Sequence, residues 1–253
     1  MSTNKFPSAQ SSQVLGDSLR GVLMKTNVLK LIVSGFLLSA VLTACGIGGG
    51  PGNLGPLTRV SGSGNVVSET RNVSGFDGVT VNGAGNVLID QTGAESLTIT
   101  TDDNLLQYIT TEVRGGKLVI GFKPGVLFDK VKELTFKVGA KNLNSIQVDG
   151  AATVQGQNIA TENLSVKLNG AGTITLSGTA TEQNVVLDGV GAYNGAELIS
   201  RRAQVTDNGA GAAVVRVSDQ LEAIVNGLGS IEYIGNPQVT QKVSGIGTVR
   251  QRP

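Results

Sequence analysis

The 253-residue chain contains no histidine and no tryptophan, a single cysteine, and only 4% aromatic residues. Without histidine it lacks the commonest general base and the commonest metal ligand of proteins. One cysteine allows neither an internal disulfide nor a zinc site built from thiolates. The composition therefore excludes many familiar catalytic and metal-binding arrangements, and we expect no cofactor and no bound metal.

Charged residues are also scarce, at 15% of the chain, and the formal net charge is +1. Such a balance predicts no strong attraction to nucleic acid. Glycine, by contrast, is abundant, with 36 residues. Few aromatic and many small residues argue against a bulky globular core and favour a thin, repetitive core of Val, Ile, Leu and Ala.

An uncharged apolar segment, LIVSGFLLSAVLTA, occupies residues 31–44 and follows Lys25 and Lys30. It is too short to span a bilayer comfortably, which takes about 20 residues, but it suits the hydrophobic region of a secretory signal. The polar residues 1–23 do not suit a signal, whereas a start at Met24 gives a compact one. We therefore expect residues 1–44 to be a cleaved signal peptide, with translation beginning at Met24.

The signal ends in the tetrapeptide LTAC, which closes at Cys45 and resembles the bacterial lipobox. In lipoproteins this cysteine is acylated, typically with palmitate among its chains, and two or more acyl chains hold a protein stably on a membrane. The next residue is Gly46 rather than aspartate, which in Gram-negative lipoproteins implies export to the outer membrane. The resemblance thus implies lipid attachment at Cys45. The alternative is a small-residue cleavage site followed by a chance free cysteine.

Residues 45–61 begin with the stretch CGIGGGPGNLGPL, which has no charge and no periodicity. Such a composition predicts a flexible tether. From Cys45 onward the chain has 16 Lys and Arg against 18 Asp and Glu, a net charge of −2. Because no polybasic patch is present, the lipid must supply the membrane anchoring. The folded domain is expected at residues 62–253.

A short motif, Gly-Ala-Gly or a close variant preceded by Asn, Asp or Ser, recurs through this domain. Its first glycine stands at positions 83, 150, 170, 189, 209, 227 and 245, so that the spacings from 150 onward are 20, 19, 20, 18 and 18. Apolar and polar residues alternate around it, as in TITL, which is typical of β-strands. The motif itself is typical of a tight corner, in which the Asn, Asp or Ser tolerates left-handed backbone and the following glycine takes the corner at no steric cost.

A strand-sized unit of this kind cannot bury its own apolar face, but stacked units can. The sequence therefore predicts an all-β fold, a parallel β-solenoid with about 18–20 residues per turn. The 67-residue gap between Gly83 and Gly150 fits three decorated turns, giving about nine turns between residues 62 and 250. A dinucleotide-binding loop would need a third glycine and a following helix, and the sequence shows neither.

One copy departs from the repeat, because Asp207 stands where the others have Val or Leu. Either the register slips by one residue, so that Val205 is the buried residue, or an acid points into the core. We expect the slip, since an unpaired buried carboxylate is costly.

Residues 95–147 do not follow the repeat. The glycines at 115–116 predict a hairpin or a tight corner between two strands, and VKELTFKV predicts a further strand. Aromatic residues concentrate here, at Tyr108, Phe122, Phe128 and Phe136. They form either part of a cap over the end of the solenoid or an aromatic binding platform. We favour the cap, because terminal turns of solenoids need protection from solvent.

Four features of the chain can be compared with known families: FDGVTVNGAGNVLI, DDNLLQYITTEVRGGKLVI, the recurring NGAG, and the closing IEYIGNPQVTQKVSGIGTV, in which Tyr233–Pro237 is the most specific piece. Together they resemble the GIN head domain family of auto-transporter adhesins. The resemblance covers about residues 65–250. It implies a right-handed parallel β-helix in a bacterial envelope protein, often a lipoprotein, and it carries over no catalytic residue.

The expected function is therefore non-catalytic. A lipoprotein, held on the membrane through Cys45, would present the β-helix for surface adhesion or for binding an envelope glycan or a surface protein. The alternative is a polysaccharide-active lyase or hydrolase. A glycosidase needs two carboxylates roughly 5–10 Å apart, and Asp149 and Asp188 stand at equivalent corners two turns apart, about 9.6 Å by strand spacing. A structural ladder of corner residues explains both acids without catalysis, and we favour that interpretation.

Overall fold

The computed structural model describes residues 57–253, which form strands and one short 3₁₀ turn at Leu106–Tyr108. The strands are β1 (Thr58–Ser61), β2 (Val66–Arg71), β3 (Gly78–Val81), β4 (Ala84–Asp90), β5 (Ser96–Asp102), β6 (Ile109–Arg114), β7 (Lys117–Phe122), β8 (Val126–Asp129), β9 (Leu134–Gly139), β10 (Ser145–Val148), β11 (Ala151–Leu168), β12 (Ala171–Leu187), β13 (Val190–Asp207), β14 (Ala210–Val225), β15 (Ser230–Ile234), β16 (Gln238–Val243) and β17 (Thr248–Gln251). The predicted signal peptide and Cys45 lie outside the described residues. Within residues 57–253, no helix is long and apolar enough to cross a membrane.

Four long strands, β11 to β14, stack in parallel and form the regular part of the fold. Ala151 pairs with Ala171, Ala171 with Val190, and Val190 with Ala210, so each strand lies one repeat above the last. Register shifts interrupt each pairing midway, where the chain passes from one face of the solenoid to the other. The predicted parallel solenoid with 18–20 residues per turn is thereby confirmed.

The number of turns predicted from the sequence is wrong, because the solenoid has about five. The error lies in the 67-residue gap. β3 and β4 pair directly with β10 and β11, so Gly83 and Gly150 belong to neighbouring layers. Residues 91–144 leave the solenoid path between these layers and form other strands instead of three further turns.

Those strands extend both faces of the solenoid. The front sheet runs β2-β5-β9-β4, continues through the first parts of β11–β14, and ends at β15 and β17. The back sheet runs β6-β7-β3-β10, continues through the second parts of β11–β14, and ends at β16. Among the described strands, β1 pairs with β8 alone. The predicted hairpin is confirmed, since β6 and β7 meet at Gly115 and Gly116, whose φ angles are 58° and 75°.

The core lies between the two sheets and consists of stacked apolar rows. One row crosses the front sheet from strand to strand and is almost wholly buried. Its members are Phe136, Val87, Val154, Ile174, Tyr193, Ala213 and Ile231. Burying a side chain of this size stabilises a protein by about 1.5–3 kcal/mol. Each coil is therefore held mainly by its two neighbours.

The corner glycines stack as predicted but for a different reason. None of the seven has φ in the left-handed region. A Cβ placed on Gly170 would instead overlap the carbonyl oxygen of Gly150, and one on Gly189 would overlap that of Gly170. Six of the seven positions require glycine because successive backbones approach too closely for any side chain, and at Gly83 the ring of Phe122 fills the space instead.

The expected register slip at Asp207 is wrong. Asp207 pairs in register with Leu187 and Val225, and both Asp207 and Val205 are 0% exposed. The acid fits because the next layer has Gly229, at which a Cβ would overlap Oδ2 of the aspartate. Oδ1 accepts a hydrogen bond from the Gly209 amide at 3.0 Å, whereas Oδ2 has no partner among the described residues. Burial raises the pKa of Asp207.

Candidate functional site

A groove of about 540 Å³ opens on the front sheet, where β4, β5 and β9 adjoin β11 and β12. One row of side chains crosses it in register over five strands: Thr98, Lys137, Leu88, Gln155 and Thr175. Strand alternation explains the row, because the residues on either side of each member point into the core. At about 4.8 Å between strands, the row spans about 19 Å.

A second row runs beside the first and contains Ser96, Gly139, Asp90 and Gln157. Gly139 keeps the middle of this row open, since a Cβ there would lie 2.5 Å from the Ser96 hydroxyl. Seven hydroxyl or amide side chains line the groove, together with one side chain of each charge and an apolar surface.

Asp90 supplies the negative charge and is held firmly. Its two carboxylate oxygens accept hydrogen bonds from the amides of Gln157, at 2.8 Å, and Asn158, at 2.9 Å. The Asn158 bond, followed by the Gln157 bond, lowers the pKa of Asp90, so it is ionised at neutral pH. Asn158 adopts left-handed backbone with φ of 57°, which suits asparagine at the bulge of β11.

Lys137 supplies the positive charge. It is exposed on β9 between Thr98 and Leu88, and no carboxylate of residues 57–253 lies within ion-pair distance of it. Its ammonium group is therefore available to an anionic ligand. The stem of Lys137 and the half-buried Leu88 provide the apolar surface of the row.

The size and side chains of the groove suit the binding of a small polar ligand. The volume lies in the range of small-molecule sites, about 300–1,000 Å³. Hydroxyl and amide side chains both donate and accept hydrogen bonds, as a polyhydroxylated ligand requires. Asp90 is the sole carboxylate among the residues that line the groove, and none of them is a histidine or a cysteine.

The carboxylates considered for catalysis lie elsewhere, on the corner ladder. Asp149 and Asp188 stand two layers apart with Asn169 between them, as the repeat predicts. Asp149 accepts hydrogen bonds from Asn169 and Gln147, and Asp188 accepts one from Asn208 at 2.7 Å. Lys167 also lies 3.5 Å from Asp188. These contacts between layers support the structural interpretation of the ladder.

The described residues contain no cluster of three or more acidic or cysteine side chains placed to hold a metal ion. The aromatic residues of the irregular segment do not form an open platform. Phe136 is 0% exposed, and Phe122 and Phe128 pack against the core with ring centroids 4.8 Å apart. Tyr108 meets Phe128 edge-on at 6.4 Å. This packing supports the cap.

Sequence reasoning missed the groove. Its row draws residues from Leu88 to Thr175, and nothing in the sequence shows that Lys137 lies beside Leu88. The alternation of Thr98-Ile99-Thr100 and Thr173-Ile174-Thr175 does indicate outward-facing hydroxyls. Only the register, however, brings the strands together into one surface.

A family model described as "Putative auto-transporter adhesin, head GIN domain" matches residues 75–237. No curated protein matches the chain. Among solved structures, a putative adhesin from Bacteroides fragilis is 22% identical with a TM-score of 0.64, covering 76% of this chain and 100% of that one. A putative lipid binding protein from Parabacteroides distasonis is 22% identical with a TM-score of 0.48, covering 78% of this chain and 100% of that one. The first likeness shows a shared fold.

Proposed function

We propose, because this chain belongs to the GIN head domain family of auto-transporter adhesins, that it is a non-catalytic binding protein of the bacterial cell envelope. In this proposal a lipid on Cys45 anchors the protein to the outer membrane, and the solenoid carries the binding surface. The ligand is an envelope glycan, and the groove on the front sheet is its site.

The observation that carries the glycan proposal is the in-register row of Thr98, Lys137, Leu88, Gln155 and Thr175. A saccharide presents hydroxyl groups that donate and accept hydrogen bonds, and the row and its neighbour offer matching amide and hydroxyl partners. Because Lys137 has no ion-pair partner in the described chain, a glycan bearing a carboxylate or sulfate fits best.

A glycan array probed with the purified full-length protein tests this proposal. We expect binding to acidic glycans, and Lys137→Ala and Gln155→Ala should each weaken it about fivefold or more, as loss of one hydrogen bond predicts. Gln204→Ala is the matched control, because Gln204 lies exposed on the back sheet and contacts Glu222. Equal binding by all three variants and the parent would remove the groove as the site.

A turnover assay on each bound glycan separates this function from the enzymatic alternative. We expect bound glycans to be recovered intact. Cleavage that disappears in Asp149→Asn or Asp188→Asn would instead establish a polysaccharide-active enzyme.

The anchor is tested separately by membrane fractionation and mass spectrometry of the mature protein. We expect acyl chains on Cys45, and Cys45→Ser should release the protein from the membrane fraction. An unmodified Cys45 on a membrane-bound protein would contradict the proposed anchor while leaving the groove unaffected.

A further inference from the structure

In the described part of the chain, the last coil presents two strand edges without a further strand. There β16 pairs with β14 alone, and β17 pairs with β15 alone. Among residues 57–253 no strand lies on their other side. Both sheets therefore end in backbone groups that are able to hydrogen-bond to one further strand.

The direction of these groups follows from the pairing. The Ser244 amide donates to the Val225 carbonyl at 2.8 Å, so it points toward β14. In a parallel pair alternate residues face the same neighbour, so Lys242 and Thr240 also face β14. The amides of Val239, Gln241 and Val243 consequently point to the open side.

The apolar rows also end abruptly at this edge. Leu221 and Val225 of β14 are 1% and 0% exposed, whereas Val239 and Val243, which follow them in the same rows, are 36% and 44% exposed. An added strand with apolar residues at alternate positions would cover these two valines as each inner coil covers the coil before it.

Charge selects the strand that fits. The segment 233–253 contains Lys242, Arg250 and Arg252 but no acidic residue. Arg250 and Arg252 approach Glu232 of the preceding coil, and Lys242 has no ion pair in the described chain. A second copy of the chain, docked edge to edge, would bring two sets of these cations together, which is unfavourable.

Exposed ion pairs between neighbouring coils indicate what the next layer should contain. Arg201 lies 2.9 Å from Asp219, Arg202 contacts Glu182, and each pair joins adjacent layers. By the same rule, a strand beyond β16 would place an acidic side chain beside Lys242.

We propose that the open edge of β16 and β17 binds an extended acidic strand of a partner protein, with apolar residues facing the core and Glu or Asp facing out. The partner strand adds to the sheet by main-chain hydrogen bonds, while Val239, Val243 and Lys242 select its side chains. This surface is separate from the groove, so it is independent of glycan binding.

Fluorescence anisotropy with the full-length protein tests the proposal. The probes are two labelled, capped eight-residue peptides, one alternating Val with Glu and the other Val with Lys. We expect the Glu peptide to bind at least about tenfold more tightly, because its Glu side chains attract Lys242 whereas the Lys side chains of the other peptide repel it. Equal binding of the two peptides would overturn the proposal.

Two variants locate the site. Gln241→Pro removes an amide on the open side without removing a bond to β14, and should weaken the Glu peptide about tenfold. Lys242→Glu should weaken it about fivefold, whereas Arg114→Glu, on edge strand β6 at the other end of the back sheet, should not. Thermal unfolding of Gln241→Pro checks that the fold is retained.

Light scattering tests whether a second copy of the chain, rather than a partner strand, occupies this edge. We expect a monomer at the concentrations used for binding. A dimer that Gln241→Pro dissociates would assign the edge to a second copy of the chain and would overturn the acidic strand. Unchanged peptide binding by a folded Gln241→Pro would overturn the edge itself.

Discussion

Residues 58–148 and residues 151–251 contribute to the same two sheets by different means. All antiparallel pairs of the described chain lie in the first region, where β2, β5, β9 and the β6–β7 hairpin meet. Every pair within the second region is parallel and joins residues 17–20 positions apart. The first region therefore reverses chain direction between several of its strands, whereas the second repeats one coil in parallel layers.

The glycines show the same difference. Gly75 and Gly115 of the first region have φ angles of 78° and 58°, and a Cβ on either would meet no atom within 4 Å. Glycine is needed at these two positions because the backbone has a positive φ angle, which other residues rarely adopt. Gly170 has ordinary φ but no room for a side chain. A single residue type thus makes a turn possible in one region and close stacking possible in the other.

The largest expected effect on the free energy of unfolding comes from comparing Gly170→Ala with Gly75→Ala. Because the added methyl group of Gly170→Ala meets backbone rather than a movable side chain, we expect a loss of about 3 kcal/mol in the free energy of unfolding. Gly75→Ala should cost about 1 kcal/mol, the conformational penalty alone. Urea denaturation measures both. Equal losses would mean that the stack can relax, and the contrast between the regions would not hold.

The buried acids provide a second comparison. Asp102 and Asp207 are both 0% exposed. The carboxylate of Asp102 accepts hydrogen bonds from the amides of Gly64, at 2.6 Å, and Lys132, at 2.9 Å, so both oxygens are satisfied. Oδ2 of Asp207 has no such partner in the described chain. Asp102 thus joins segments of the first region, whereas Asp207 interrupts an apolar row of the second region.

We therefore expect Asp207→Val to stabilise the protein by about 2 kcal/mol at pH 7, since it removes an incompletely paired buried acid. Asp102→Val should destabilise it by a similar amount, because two amides lose their acceptor. Denaturant midpoints of the two variants should therefore move in opposite directions. A loss of stability in Asp207→Val would show that the Gly209 contact outweighs the burial cost.

The gain from Asp207→Val should depend on pH. Burial raises the pKa of Asp207 above its ordinary value of 3.8, so the folded state binds a proton more readily than the unfolded state. Wild-type stability at this site is thus full below pH 3.8 and is lost as pH rises through the higher, folded-state pKa. The advantage of Asp207→Val should shrink as pH falls through the raised, folded-state pKa of Asp207 toward 3.8. A pH-independent difference would contradict this linkage.

The aromatic residues of one core row provide a third, smaller test. Phe136 and Tyr193 lie in the same buried row, but only Tyr193 carries a polar group. Its hydroxyl donates to Gln183 Oε1 at 2.8 Å, and the Gln183 amide donates to Ser200 Oγ at 2.7 Å. Tyr193→Phe leaves the Gln183 oxygen unpaired, so we expect a loss of about 1 kcal/mol.

Tyr233→Phe is the control for this variant. Tyr233 is only partly buried against the core, so loss of its hydroxyl should have little effect. A double variant, Tyr193→Phe with Gln183→Leu, should recover part of the loss, because no polar atom is then left unpaired. Thermal unfolding compares the set, and an unchanged Tyr193→Phe would indicate that water replaces the hydroxyl.

The two regions also differ in how far their sequence predicts their structure. The coils were predictable because Gly150, Gly170, Gly189 and Gly209 mark one corner at a regular spacing. The link from Gly83 to Gly150 was not, since residues 91–144 leave and rejoin the solenoid and the sequence records only the length of the gap. Lys137 lies in this segment, so its position beside Leu88 could not be predicted either. The register at Asp207 was missed because glycine at 229 makes the space, and that depends on the next layer.

The smallest expected effect concerns the ion pairs between coils. Arg202 contacts Glu182, and their side chains are 47% and 45% exposed. Water and salt screen such a pair, so Arg202→Gln should cost at most about 0.5 kcal/mol, and less in high salt. Denaturation at two salt concentrations checks this, with Gln204→Ala as a neighbouring control. A small loss would mean that the stacking of apolar rows holds the coils together. The charged side chains would then mainly determine which strands can lie next to each other. A loss of several kcal/mol would mean instead that ion pairs hold the coils together. The cations of the last coil would then serve to stabilise the fold rather than to select a partner strand.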